Sequence, residues 1–342
     1  MKAIVFDRHG ESDVLNLREV PAPPAAPGTV AVRLKAAGVN HLDIWVRKGF
    51  PNVPLPLPHI PGSDGAGVIE ETGAGVKGLK AGDRVVLSPG MGCGTCDKCR
   101  SGWESLCDGF HLIGFQIDGA YAERIVVPER RVIKVSDKYS FEEWASVPLV
   151  FVTAYHMLVT HAKLKAGETV LIHAAGSGIG SAAIQIAKHL GAQVITTVGN
   201  EAKAAKAKAL GAGEVILYRK NDFAEETKRL TGGKGADVVF EHIGPETFQK
   251  SLQCLAKGGR LVTCGATSGP KIELDLRFLY MRQHTVIGSY MGDKGELAES
   301  IRLLEKGILK PVVDTVYPLA DARKAHDRMD ARDFFGKLVL KV

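Results

Sequence analysis

The segment Thr169–Leu190, TVLIHAAGSGIGSAAIQIAKHL, constrains the fold of this chain more than any other. Val170–Ile172 is an apolar run short enough for a buried strand, and a glycine-dense turn follows over Ala174–Gly180. Beyond it, Ile179, Ala182, Ala183, Ile186, Ala187 and Leu190 recur at helical spacing. Strand, small-residue turn and helix form the context in which a glycine fingerprint reads as a dinucleotide site. Small residues let a pyrophosphate approach the backbone, and the helix N-terminus offers free N–H groups with a partial positive charge. Gly176, Ser177, Gly178, Ile179 and Gly180 are therefore the expected cofactor turn. Aligned on Gly180, the G-x-G-x-x-G pattern has Ala175 and Ser177 in its first two glycine places, so the turn is a variant.

Strand-like and helix-like stretches alternate after it. QVITTV precedes EAKAAKAKAL, EVILY precedes DFAEETKRLTGG, ADVVFEHIG precedes ETFQKSLQCLAKGG, and RLVTCGA follows. That alternation predicts a doubly wound parallel sheet, with the ligand beyond the carboxyl ends of its strands. Gly265 and His242 stand at such ends. A strand-end acid about 20 residues after the glycine turn would bind the ribose 2′-hydroxyl of NAD. Val198 occupies that place, and Asn200 and Lys203 follow, so a 2′-phosphate meets no repelling charge. NADP is the expected cofactor, ahead of NAD.

The first 125 or so residues read differently. AIVF, VAVRLKAAGV, GAGVIEE and DRVVL look like short strands between the Pro/Gly-rich turns Pro21–Gly28, Pro51–Pro58 and Thr72–Asp83. This pattern predicts a β-barrel-like domain. Phe141–Ala162 reads as one helix, His284–Gly292 as a further strand, and the tail GKLVLKV as a strand pairing back with the first domain. The expected domains are 1–130 with 290–342, and 131–289.

Of six cysteines, Cys93, Cys96, Cys99 and Cys107 form C-x2-C-x2-C-x7-C within a lobe at 90–108. Four soft ligands on short glycine-bearing loops suit a closed, structural zinc; an iron–sulfur cluster or disulfides are the rivals. Cys254 and Cys264 read as core residues. The net charge of +6 is dispersed, and no nucleic-acid module or membrane-spanning run is seen. With no signal peptide ahead of KAIVF, the expected location is cytoplasmic.

The segments AAGVNHLD (Ala36–Asp43), HIPGSDGAGVIEETG (His59–Gly73), the cysteine lobe, GAYAERIVVP, TAYHML, HAAGSGIG and VVFEHIG together resemble the medium-chain dehydrogenase/reductase superfamily of zinc alcohol dehydrogenases and quinone oxidoreductases. The resemblance implies a GroES-like catalytic domain, a Rossmann domain and one structural zinc in the lobe. Zinc alcohol dehydrogenases hold a second, catalytic zinc through Cys, His and Cys. The matching positions here are Asn40, Ser63 (with Asp64 in place of the usual glutamate) and Leu149, and Leu42 stands where a proton-relaying hydroxyl belongs. GVN with PGSDGAG is what zinc-independent quinone oxidoreductases carry, although most of them lack the cysteine lobe. A rearranged zinc site would have to draw on His41, His59 and Asp64.

By the same resemblance Asn40 contacts substrate or nicotinamide, Thr153 contacts nicotinamide, His41 faces the cofactor phosphates, and Lys203 and Tyr218 lie at the adenosine ribose. Asp43 and Asp64 read as structural carboxylates. The expected activity is NADPH-dependent reduction of a small quinone, activated alkene or carbonyl without a catalytic metal. The alternatives are an alcohol or aldehyde dehydrogenase with a rearranged metal site, and a non-catalytic NADPH-binding sensor. A homodimer or homotetramer is expected, with His284–Tyr290 as an edge strand.

Overall fold

The computed structural model describes residues 1–50 and 53–342. Pro51 and Asn52, which open the proline-rich turn, lie outside the described residues. The strands in chain order are β1 (Lys2–Val5), β2 (Asn16–Glu19), β3 (Thr29–Gly38), β4 (Asp64–Thr72), β5 (Arg84–Leu87), β6 (Gly90–Met91), β7 (His111–Leu112), β8 (Arg124–Pro128) and β9 (Val132–Lys134). β10 (Thr169–Ile172), β11 (Gln193–Val198), β12 (Glu214–Leu217), β13 (Ala236–Glu241), β14 (Leu255–Thr263) and β15 (Thr285–Gly288) follow, and β16 (Val313–Pro318) and β17 (Lys337–Lys341) close the series.

The chain divides into two compact units, Met1–Val150 with Asp293–Val342, and Phe151–Gly292. The expected boundaries stood at 130 and 290. Residues 131–150 fall in the first unit because β9 pairs with β5, and the helix Phe141–Ala145 packs on β3 and β4.

In the first unit a mixed sheet runs β16-β17-β3-β4-β5-β9, with β8 also on β3. β3 is its centre: Val30, Val32, Leu34 and Ala36 are buried on one face, while on the other Arg33 is exposed and Lys35 half-buried between buried Ala31 and Ala37. Gly67 lets β4 lie against it, since a Cβ there would sit 2.2 Å from the Arg33 carbonyl oxygen. β17 joins antiparallel, pairing Val339 with Gly38 and Leu340 with Ala37. The C-terminal strand thus enters the middle of this sheet.

In the second unit six parallel strands run β12-β11-β10-β13-β14-β15. Renumbered from β10, this is the order 3-2-1-4-5-6 of a dinucleotide-binding sheet. Val170, Leu171 and Ile172 are all buried, as expected for a parallel strand covered on both faces. Leu171, Ile195, Ile216, Val239 and Leu261 share one core with Phe223, Phe248 and Leu252.

The segment Phe141–Ala162 is not one helix. Ser140 and Glu143 form a capping box for Phe141–Ala145; Pro148 then begins a second helix, Pro148–Tyr155, which passes into a π-helical turn at His156–His161. Proline lacks the N–H an uninterrupted helix would need and suits a first turn instead.

Candidate functional site

The four lobe cysteines converge. Their Sγ atoms all lie within 4.8 Å of one another, and Cys93 Sγ is 3.9 Å from Cys99 Sγ. Four sulfurs each about 2.3 Å from a central ion are separated by roughly 3.8 Å, so the spacing fits tetrahedral zinc. The hydroxyl of Thr95 and the N–H groups of Thr95 and Cys96 approach Cys93 Sγ at 3.3–3.4 Å and hold its thiol down to about 5. Loss of solvent pushes Cys99 up to about 12, so a cation is what lets all four ionise together. Zinc held here by four thiolates has no open position for substrate.

In the second unit the glycine turn stands at the carboxyl end of β10, between its neighbours β11 and β13, where the strand order reverses. A ligand sits at such a switch point in open parallel sheets. Ser177 caps the helix Gly178–His189: its Oγ accepts from the Gly180 N–H at 2.9 Å and donates to the Ala174 carbonyl at 2.8 Å. A Cβ on Gly180 would fall 2.3 Å from that carbonyl, so this position demands glycine. The turn and the helix N-terminus retain the shape a pyrophosphate needs.

A buried polar chain braces the floor of this switch point. Ser251 Oγ donates to Glu241 Oε2 at 2.8 Å and lies 2.8 Å from His173 Nε2, while Thr197 Oγ1 lies 3.3 Å from Nδ1. Glu241 Oε1 accepts the N–H groups of Ile243 (2.6 Å) and Gly244 (3.1 Å), fixing the turn after β13. Burial holds His173 near 4, hence neutral. His242, expected at the cofactor crevice, is buried with its Nε2 3.0 Å from the His173 carbonyl oxygen. Gly265 follows β14, and a Cβ on it would come 2.9 Å from the His242 carbonyl.

At the end of β11, Val198 is buried and Asn200 caps the helix Glu201–Leu210, its Oδ1 accepting from Lys203 N at 2.9 Å. The Asn200 amide thereby directs its oxygen to the helix, leaving its NH2 as the donor for an anionic ligand. A Cβ on Gly199 would lie 3.2 Å from Tyr218 Oη and 3.4 Å from Arg219 Nε, so both side chains overlie this strand end. Glu201, the acid of that helix's first turn, is engaged by Lys220 at 3.1 Å. Arg219 was not singled out from sequence; its signal was a cationic side chain directly after Tyr218.

In the first unit the three positions that would carry a catalytic zinc are joined by two buried carboxylates. Asp64 Oδ2 accepts from Asn40 Nδ2 at 2.9 Å and from Lys337 Nζ at 3.1 Å, and Oδ1 accepts from the Leu149 N–H at 2.8 Å. Lys337 Nζ also donates to Asn40 Oδ1. Asp43 Oδ1 accepts from Ser63 Oγ at 2.9 Å, and its Oδ2 accepts from the Asn40 N–H at 2.8 Å and from Tyr121 Oη at 3.1 Å. Asp43 and Asp64 are fully buried, and Asn40 and Lys337 nearly so. Burial raises Asp43 to about 6. An amide, a hydroxyl, a leucine and an ammonium do not make a zinc site.

The other residues expected to act lie as follows. His41 opens the helix His41–Lys48, its ring edge-on to Trp45 at 5.0 Å. Thr153 is buried in Pro148–Tyr155. His59 is buried beside Phe6 with Nε2 3.2 Å from the Gly114 carbonyl. Among the described residues, His41, His59 and Asp64 do not gather into a ligand set, which removes the rearranged zinc site built from them. No helix among the described residues is long and apolar enough to cross a membrane.

Comparison with known proteins agrees with this anatomy. Residues 26–137 match the family described as alcohol dehydrogenase GroES-like domain, and 178–306 match zinc-binding dehydrogenase. The chain is 37% identical to an alcohol dehydrogenase of Geobacillus stearothermophilus over 100% of both chains. It is 34% identical to a quinone oxidoreductase of Pseudomonas aeruginosa over 99% of each. A crystal structure of an NAD-dependent alcohol dehydrogenase matches with a TM-score of 0.97 at 45% identity, covering 100% of both chains.

Proposed function

The chain belongs to the medium-chain dehydrogenase/reductase superfamily of NAD(P)-dependent oxidoreductases, and from that premise we propose that it is an NADPH-dependent reductase of small quinones, activated alkenes or carbonyls that works without a catalytic metal. The observation that carries the reading is the Asn40–Asp64–Lys337 cluster. At Asn40, one of the three positions matched to catalytic-zinc ligands, it sets an amide that is bound to Asp64 and Lys337 instead.

Reduced nicotinamide, when bound, supplies the hydride. The protein's part is to hold the two reactants and to stabilise the oxygen on which negative charge grows. Asn40 donates an N–H to that oxygen, Thr153 orients the nicotinamide, and His41 approaches the pyrophosphate. Water supplies the proton. The turn Gly176–Gly180 receives the pyrophosphate, with Gly265 at the neighbouring strand end. The absence of an acid at Val198, with Asn200, Lys203, Tyr218 and Arg219 around the end of β11, supports a 2′-phosphate and hence NADP over NAD. The cysteine lobe holds one structural zinc.

The edge strand β15 and the exposed Leu276, Tyr280 and Met281 beside it in sequence support pairing of two copies, as a homodimer or a tetramer built from dimers. Solution mass tests this: a monomer at micromolar concentration removes it. The function is tested by zinc content together with turnover of 1,4-benzoquinone, 2-cyclohexen-1-one and a panel of alcohols with each cofactor. One zinc per chain and NADPH-dependent loss of quinone or enone are expected. A second zinc whose removal ends turnover, or tight NADPH binding with no turnover on any probe, overturns the reading.

A further inference from the structure

The amide of Asn40 is held between two groups whose chemistry allows only one orientation. A lysine ammonium has donors and no acceptor, so the atom facing Lys337 must be the oxygen. An ionised carboxylate accepts only, so the atom facing Asp64 must be the nitrogen. Oδ1 toward Lys337 Nζ and Nδ2 toward Asp64 Oδ2 at 2.9 Å satisfy both. Amide orientation is otherwise ambiguous, and a flip would set donor against donor and acceptor against acceptor. One Nδ2–H is taken by Asp64, and among the described residues the other meets no acceptor. The amide is thereby fixed as a donor.

Lys337 comes from β17, far along the chain from Asn40, and it is buried to within 3% of full coverage. Nothing about packing β17 into the sheet requires an ammonium here, since its inward neighbours Leu338, Val339 and Leu340 are apolar. A buried charge is kept out of water at a cost, and here it is spent on one carboxylate and one amide oxygen.

We propose that Lys337 is a positioning residue for the reaction: its ammonium locks the Asn40 amide with an N–H outward, so that Asn40 can donate to the substrate oxygen. This rests on the reading of Asn40 as the substrate donor. Lys337 acts through Asn40, whose amide oxygen it holds. With a neutral side chain at 337 the amide is held through Nδ2 alone, and the outward N–H loses the second contact that fixes its direction toward the developing oxyanion.

The test is a double-mutant cycle on kcat/KM for 1,4-benzoquinone and 2-cyclohexen-1-one with NADPH, using N40A, K337M and N40A/K337M. The expected losses are on the order of 100-fold for N40A and about 10- to 100-fold for K337M, with the double variant no worse than N40A alone. The loss in K337M falls on kcat rather than on the KM for NADPH, and K337R recovers part of it. If K337M fails to fold, D64N/K337M removes both buried charges and is expected to show the same loss, with zinc content and NADPH affinity intact. Loss in K337M that adds in full to that of N40A, or K337M as active as the parent, overturns the proposal alone. N40A as active as the parent overturns the underlying reading, and the proposal with it.

Discussion

Lys337 Nζ lies 3.1 Å from Asp64 Oδ2, and neither side chain is more than 4% exposed. In this chain an ammonium from β17 neutralises a buried carboxylate of β4. Removing one partner of a buried pair leaves an uncompensated charge, whereas removing both does not. K337M is therefore expected to destabilise the first unit by about 3–5 kcal/mol, and D64N/K337M to recover most of it. Trp45, Trp103 and Trp144 all lie in the first unit, so tryptophan fluorescence in a urea titration reads this transition directly. Equal destabilisation of the single and double variants contradicts the expectation.

The lobe is expected to hold the zinc for structure alone. C93S or C107S should lower the zinc content from one per chain to none and bring forward the tryptophan-detected transition. The protein that remains folded should reduce quinone at the parent rate. A rate that falls in proportion to zinc at full foldedness argues against a purely structural metal.

Arg219 is expected to discriminate between the two cofactors. A charge-assisted hydrogen bond to a 2′-phosphate is worth about 1.5–3 kcal/mol. R219A should raise the KM for NADPH roughly 10- to 100-fold and leave that for NADH unchanged. A parallel change in both would place Arg219 away from the phosphate.

The second unit should be sensitive to mild acid. The folded His173 titrates near 4, below its ordinary value of 6.5, because burial disfavours its charged form. Between those two values the unfolded chain binds the extra proton, so stability is complete above pH 6.5 and is lost as the pH falls toward 4. His242 is shifted downward by burial as well, in the same sense. Each pH unit in this window is worth up to about 1.4 kcal/mol per group. In the first unit burial pushes His326 down to about 3 and lowers His59, in the same sense, while Asp43, raised to about 6, opposes them, since its stability contribution falls as pH rises from 3.8 through 6. The urea midpoints read by nucleotide binding and by tryptophan are thus both expected to drop between pH 7 and pH 5. H173Q should flatten the first of these slopes.

Features that depend on local spacing were legible in the sequence. The parallel sheet followed from alternating apolar runs, the gathering of four cysteines from their fixed intervals, and the strand–turn–helix at Thr169–His189 from small residues between two apolar stretches. What was missed depends on contacts across long sequence distance or on the direction of a side chain. Asn40 meets Lys337 across 297 positions, so no local pattern announces it. Asp64 reads as a structural carboxylate from the sequence, but its partners Leu149 and Lys337 lie too far along the chain to be named from it. His242 sits at the expected strand end, but its ring turns to the backbone of His173. The split near Pro148 was written in the proline itself, and the apolar periodicity around it masked the break.

Because β17 enters the centre of the first unit's sheet, that unit is the last to be completed on the ribosome although most of it is made first. Asn40, Asp64 and Asp43 emerge early and must wait, two buried carboxylates without their counter-charge, until some 270 further residues have been made and Lys337 arrives. The second unit, encoded as one uninterrupted stretch, has no such wait. Synthesis order therefore makes the second unit the first autonomous body and leaves Asp64 without its ammonium until β17 zips in, so an early stop or a badly placed tag near residue 337 would yield a finished Rossmann unit and an unfinished first one.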